Sequence, residues 1–210
     1  MTVTVSLAAV MTVAVVALVA AELRGRRATV LAAKPVASVS FLLIAWLRYQ
    51  PGHPYDAWVL LALLLCLVGD VLLMFRRAFV AGLASFLLGH VAYTVAFSGL
   101  LPPRSWPPGW AMPVLLASLV AARWLWPHLG SLRYAVLAYV AVISVMVWGA
   151  VAVAAAGRGP WFLAAGGVLF YLSDLAVARD RFVAGRFASR AWGLPVYYVA
   201  QLLLALTVGG

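Results

Sequence analysis

The sequence predicts an all-α fold, a polytopic membrane bundle of eight transmembrane helices. Three observations predict it. Of the 210 residues, 67% are hydrophobic and 10% are charged, more apolar surface than a soluble chain of this length can hide. The apolar residues fall into runs near the roughly 20 residues that a spanning helix needs. Those runs are unbroken rather than alternating, which excludes a lipid-facing barrel. The whole chain reads as a single integral membrane domain, 1–210.

The first run covers 3–21. No basic segment precedes it and Arg24, Arg26 and Arg27 follow, so it reads as a retained helix rather than a cleaved signal. The second covers 30–47 and is entered through Lys34-Pro35, and a turn rich in Pro and Gly leads to the third, 55–75. Arg76-Arg77 stops that helix, and the fourth runs over 79–100. A proline-rich loop precedes the fifth, 110–126; the sixth is 132–156 and the seventh 160–178. A basic linker reaching Arg190 leads to the eighth, 191–208.

Basic residues divide unevenly between the seven loops. Arg24, Arg26, Arg27, Lys34, Arg76, Arg77, Arg123, Arg133, Arg179, Arg181, Arg186 and Arg190 lie in or beside the odd loops. The even loops hold Arg48, Arg104 and Arg158. The positive-inside rule places the odd loops in the cytoplasm and both termini outside. The net charge of +10 is therefore a topology signal, and nucleic acid is not an expected partner.

Against this background two acids stand out. Asp70 ends a run of Leu, Ala and Val, and Asp174 follows Tyr171-Leu172-Ser173. A carboxylate at the centre of a spanning helix costs roughly 2.5–3.5 kcal/mol on insertion scales, and it persists where it faces protein or a wet cavity. Asp70 lies six residues before Arg76 and Asp174 five before Arg179, which puts both roughly 8–9 Å inside their basic borders. They should face one cavity open toward the cytoplasmic leaflet, with His90, Tyr197 and Gln201 on its walls. A further echo links the halves: Phe79-Val80-Ala81-Gly82 follows Asp70, and Phe182-Val183-Ala184-Gly185 follows Asp174. Two parallel four-helix repeats would produce it.

Fewer residues surround the acids as candidates. His90 shares a helix face with Phe86 and Tyr93, beside the small-residue stripe Gly82, Ser85 and Gly89. It serves either as a packing histidine or as a positioner of substrate or water. Tyr197, Tyr198 and Gln201 occupy one side of the last helix, and Gln201 is deep enough to need a partner. Lys34 is expected to snorkel to the interface or to meet a lipid phosphate there. Trp46, Trp106 and Trp110 suit an aromatic belt, and Gly166-Gly167 a packing notch. Cys66, the one cysteine, reads as a small buried apolar residue one turn before Asp70. The chain lacks His-x-x-Glu-His, Cys-x-x-Cys, Gly-x-Ser-x-Gly and P-loop motifs, so neither metal nor cofactor is expected. Two carboxyl groups, one kept protonated and one ionised, form an acid–base pair. A proton-coupled lipid transporter or a non-catalytic lipid binder would also retain such acids.

Gly69-Asp70-Val71-Leu72-Leu73, followed by Phe79-x-x-Gly82-Leu83-x-Ser85-Phe86-x-x-Gly89-His90-x-x-Tyr93, resembles the YhhN-like lysoplasmalogenase family. Ser173-Asp174, Arg181-Phe182, Tyr197-Tyr198-x-Ala200-Gln201 and Lys34-Pro35 extend the resemblance over about Lys34 to Leu206. It implies a membrane hydrolase that cleaves the vinyl ether bond of lysoplasmalogens, releasing a fatty aldehyde and a glycerophospho-ethanolamine or -choline. It also implies Asp70 and Asp174 as the catalytic pair, without a metal. Lys34, His90, Tyr93, Ser173, Tyr197, Tyr198 and Gln201 are the expected substrate-binding residues. The partner is then a lysophospholipid within a membrane, and the Ala-, Val- and Arg-rich composition suits a bacterial plasma membrane.

Overall fold

The computed structural model describes residues 2–210. Eight long helices appear among the described residues: α1 (Thr2–Leu23), α2 (Arg27–Arg48), α3 (Pro54–Leu73), α4 (Phe79–Leu100), α5 (Pro108–Leu125), α6 (Arg133–Ala155), α7 (Trp161–Ala178) and α8 (Phe187–Leu206). No strand occurs among those residues. All but α8 are long and apolar enough to cross a membrane, which makes this an integral membrane protein. The 20 residues of α8 would cover roughly 30 Å, but Ser189, Arg190, Tyr197, Tyr198 and Gln201 lower its hydropathy. The cause is position: α8 packs against α1, α2, α3 and α7, and its polar side chains meet protein rather than lipid.

Two expected boundaries move. Helix α2 starts at Arg27 and carries Pro35 in its interior, so Lys34 lies about two turns inside the helix rather than at its entrance. Helix α8 begins at Phe187, taking up the end of the expected linker, and a π turn, Arg179–Val183, extends α7. Pro54 opens α3 in its first turn, where the missing N–H leaves no hydrogen bond unmade.

Packing follows the small residues. The heaviest interfaces are α3 with α4 and α7 with α8. On α4, a Cβ at Gly82 would come within 2.7 Å of the Leu73 side chain, and one at Gly89 within 3.1 Å of Cys66 Sγ. Between them Ser85 Oγ donates to the Leu65 carbonyl at 2.7 Å. Gly166 and Gly167 serve different neighbours, Leu204 of α8 and Ala150 of α6. Trp46 and Trp110 are exposed as a belt requires, but Trp106 is buried. Its ring lies on Gly149 of α6 and edge-on to Trp148, and its indole N–H donates to the Leu101 carbonyl. The bare surface of Gly149 gives that ring a protein site in place of an interfacial one.

The packing scheme is used twice. Helices α1 with α2, α2 with α3, α3 with α4 and α4 with α6 have counterparts in α5 with α6, α6 with α7, α7 with α8 and α8 with α2. Phe79 and Phe182, which open the two echoed tetrapeptides, meet edge to face with ring centroids 6.1 Å apart.

Candidate active site

A cavity of about 530 Å³ lies among the helices at the odd-loop end. Its wall is largely apolar, built from residues such as Leu18, Leu73, Leu83, Phe86, Val136 and Ile143. Asp70 and Asp174 both face it, with Lys34, Tyr139, Ser173 and Tyr197. The cavity side of Asp174 is the more open, its side chain 17% exposed against 3% for Asp70.

The two carboxylates have opposite surroundings. Asp70 is saturated with donors. Lys34 Nζ lies 3.2 Å from Oδ1, while Ser38 Oγ and Tyr197 Oη donate to Oδ2 at 2.8 and 2.7 Å. Ser38 in turn lies 3.1 Å from Tyr198 Oη. An ammonium and two hydroxyl donors leave both oxygens of Asp70 partnered. Lys34 thus turns inward instead of snorkelling, because pairing a buried carboxylate outweighs reaching the interface.

Asp174 is short of donors. Tyr139 Oη donates to Oδ2 at 2.6 Å, and the same oxygen lies 3.5 Å from His90 Nε2. His90 Nδ1 sits 2.6 Å from the Phe86 carbonyl, which only accepts, so Nδ1 carries the proton. Nε2 then has no hydrogen-bond partner although it is buried. Two lone pairs facing each other in an apolar interior are costly. A proton placed between Asp174 and His90 would give both atoms a partner.

The remaining expected residues lie elsewhere. His90, Tyr93, Tyr198 and Gln201 are enclosed and do not line the cavity. His90 faces Asp174, Tyr93 Oη donates to Gln201 Oε1 at 2.8 Å, and Tyr198 Oη donates to the Lys34 carbonyl at 3.3 Å, while Gln201 Nε2 is buried without a hydrogen-bond partner among the described residues. Ser173 lines the cavity but spends its hydroxyl on the Phe170 carbonyl. Behind the acids Phe170 packs against the rings of His90, Phe86, Tyr93 and Tyr197.

Sequence reading missed Ser38 and Tyr139. Ser38 is one turn after Lys34, on the same face of α2, a usable signal once Lys34 is placed inside the span. Tyr139 is a lone hydroxyl in an apolar run and offers no comparable signal. Cys66 is fully buried outside the cavity wall.

A model described as the YhhN family matches residues 29–208. The chain is 36% identical over 175 residues to the lysoplasmalogenase TMEM86A of Bos taurus, covering 80% of this chain and 71% of that protein. It is 38% identical over 168 residues to the lysoplasmalogenase TMEM86B of Rattus norvegicus, covering 79% and 67%. Against a lysoplasmalogenase of Mycobacterium tuberculosis the identity is 33% over 181 residues, covering 80% and 66%. No solved structure matches the chain.

Proposed function

This chain belongs to the YhhN family, and from that premise we propose that it is a lysoplasmalogenase, hydrolysing the vinyl ether bond of a lysophospholipid within the membrane. The observation that carries the reading is the contrast between the two carboxyl groups on one cavity wall. The lysoplasmalogenase names of the relatives support hydrolysis over lipid transport or passive binding.

The reaction begins at carbon. Asp174, holding the proton it shares with His90, transfers it to the β-carbon of the vinyl ether, and the ether oxygen donates electrons to give an oxocarbenium ion. Ionised Asp70 stabilises that cation and accepts a proton from the water that adds to the α-carbon. The resulting hemiacetal returns its hydroxyl proton to Asp174 as the carbon–oxygen bond to glycerol breaks. The glycerol oxygen takes the proton held by Asp70. One water is consumed, one aldehyde and one glycerophospho-alcohol leave, and both acids are restored. Tyr139 and Tyr197 hold the carboxylates in place, and Lys34 balances the charge of Asp70. The apolar wall receives the alkenyl chain. With the odd loops on the cytoplasmic side, the mouth opens toward that leaflet.

Purified protein given a lysoplasmalogen should release fatty aldehyde without added metal. Asp70→Asn and Asp174→Asn should each lose about 100-fold or more of turnover, and the double variant should be little worse than the weaker single one, because such groups act as a unit. Turnover within about threefold of wild type in either variant, at equal amounts of folded protein, would remove the acid–base pair.

A further inference from the structure

The charges at the cavity mouth are not used by the chemistry. Arg76 and Arg181 both line it. Neither has a carboxylate within ion-pair distance among the described residues. The Arg181 guanidinium is held over the Phe79 ring, 4.1 Å from its centroid, so it is oriented before any ligand arrives. Opposite in sign is a second group on the same rim. Arg190 lies 3.1 Å from Glu22 and 3.8 Å from Asp180, and all three line the cavity. Two carboxylates share one cation there, and Asp180 Oδ1 is buried with no hydrogen-bond partner among the described residues. The rim therefore presents two free guanidinium groups beside a cluster with one uncompensated negative charge.

We infer that the rim is a headgroup site for a zwitterionic phosphodiester: Arg76 and Arg181 take the phosphate, and the Glu22–Asp180 pair takes the ammonium of an ethanolamine-type headgroup. The inference rests on the proposed hydrolase reading for its ligand class. Guanidinium forks match phosphate oxygens in geometry as well as charge. The spacing agrees with a lysophospholipid. Arg76 follows Asp70 by six residues and Arg181 follows Asp174 by seven, each just past the end of the helix that carries its acid, a separation on the order of one to two helical turns. The three glycerol carbons between ether oxygen and phosphodiester are shorter than that, and the flexible arginine side chains cover the difference. The same contacts then set the depth at which the vinyl ether stops, beside the two acids.

Binding of uncleavable ligands tests this independently of hydrolysis. Three saturated ethers with one alkyl chain serve as probes: alkylglycerol, alkylglycerol phosphate and alkylglycerol phosphoethanolamine. Their Kd values for the full-length protein in detergent would be read by tryptophan fluorescence. Wild type should bind the phosphate-bearing probes about 10-fold or more tighter than alkylglycerol, in line with hydrogen bonds to charged groups. The Arg76→Gln/Arg181→Gln double variant should remove most of that preference. Asp180→Asn should weaken the preference for phosphoethanolamine over bare phosphate. Arg77→Gln, on the same turn but off the cavity wall, should keep wild-type ratios. The site is overturned if wild type shows no phosphate preference, if the double arginine variant keeps it, or if that variant weakens all three probes equally. It is also overturned if Arg77→Gln shifts the ratios as far, because bulk surface charge then explains them. Absence of aldehyde release would instead remove the hydrolase reading and leave these binding ratios to stand or fall alone.

Discussion

At the scale of single residues, the unequal treatment of two aspartates organises the site. Asp70 receives a lysine and two hydroxyls, whereas Asp174 receives one tyrosine and a histidine whose facing nitrogen lacks a partner. Removing one member of a buried ion pair typically costs about 3–5 kcal/mol, since the other charge stays behind unpaired. Lys34→Met should therefore lower the Tm measured in detergent sharply, and Lys34→Met/Asp70→Asn should recover much of the loss. If the double variant were as unstable as the single one, the pairing of Lys34 with Asp70 would not be what holds this end of α2 against α3. The acids themselves were legible in sequence because a carboxylate in an apolar run has few explanations. Their difference was not, for it depends on Ser38, Tyr139 and the tautomer of His90, which only the packed helices bring into contact.

Among the elements, the fit of helix to helix depends on residues with almost no side chain. Gly193 of α8 faces Ala176 of α7 so closely that an added Cβ would lie 2.5 Å from the alanine methyl. The backbone cannot yield without moving α8, which carries Tyr197 to Asp70. Gly193→Ala should destabilise by about 1–3 kcal/mol, as overpacking does, and should reduce turnover in the protein that still folds. Gly99→Ala, in open space near the end of α4, is the matched control and should leave the Tm unchanged or raise it slightly. Helix existence was readable from apolar runs, and the stripe on α4 from its small residues. The starts of α2 and α8 were not. Lys34-Pro35 and Arg190 look like loop chemistry, and their place inside helices follows from contacts with distant acids and with neighbouring helices.

On the scale of the molecule, the repeated packing scheme crosses the two halves of the chain. Asp70 is completed by Lys34 and Ser38 from α2 and by Tyr197 from α8; Asp174 by Tyr139 from α6 and His90 from α4. The tetrapeptide echo hinted at this, but four residues say nothing of which helix meets which acid. The loop between α4 and α5 is proline-rich and exposed over residues 102–105, with Trp106 buried beyond them, so a cut after Arg104 keeps Trp106 and Gly149 in one fragment and removes little packing. Residues 1–104 and 105–210 produced together in one membrane should regain aldehyde release, and either fragment alone should show none. Activity in a lone fragment would disprove the sharing. The same arrangement bears on ancestry. A protein of half this length would carry an acid with one of its supports missing, and it could supply that support only from a second copy of itself. Fusing two such copies would have freed each acid to lose its twin's surroundings, so that one came to keep a charge and the other a proton.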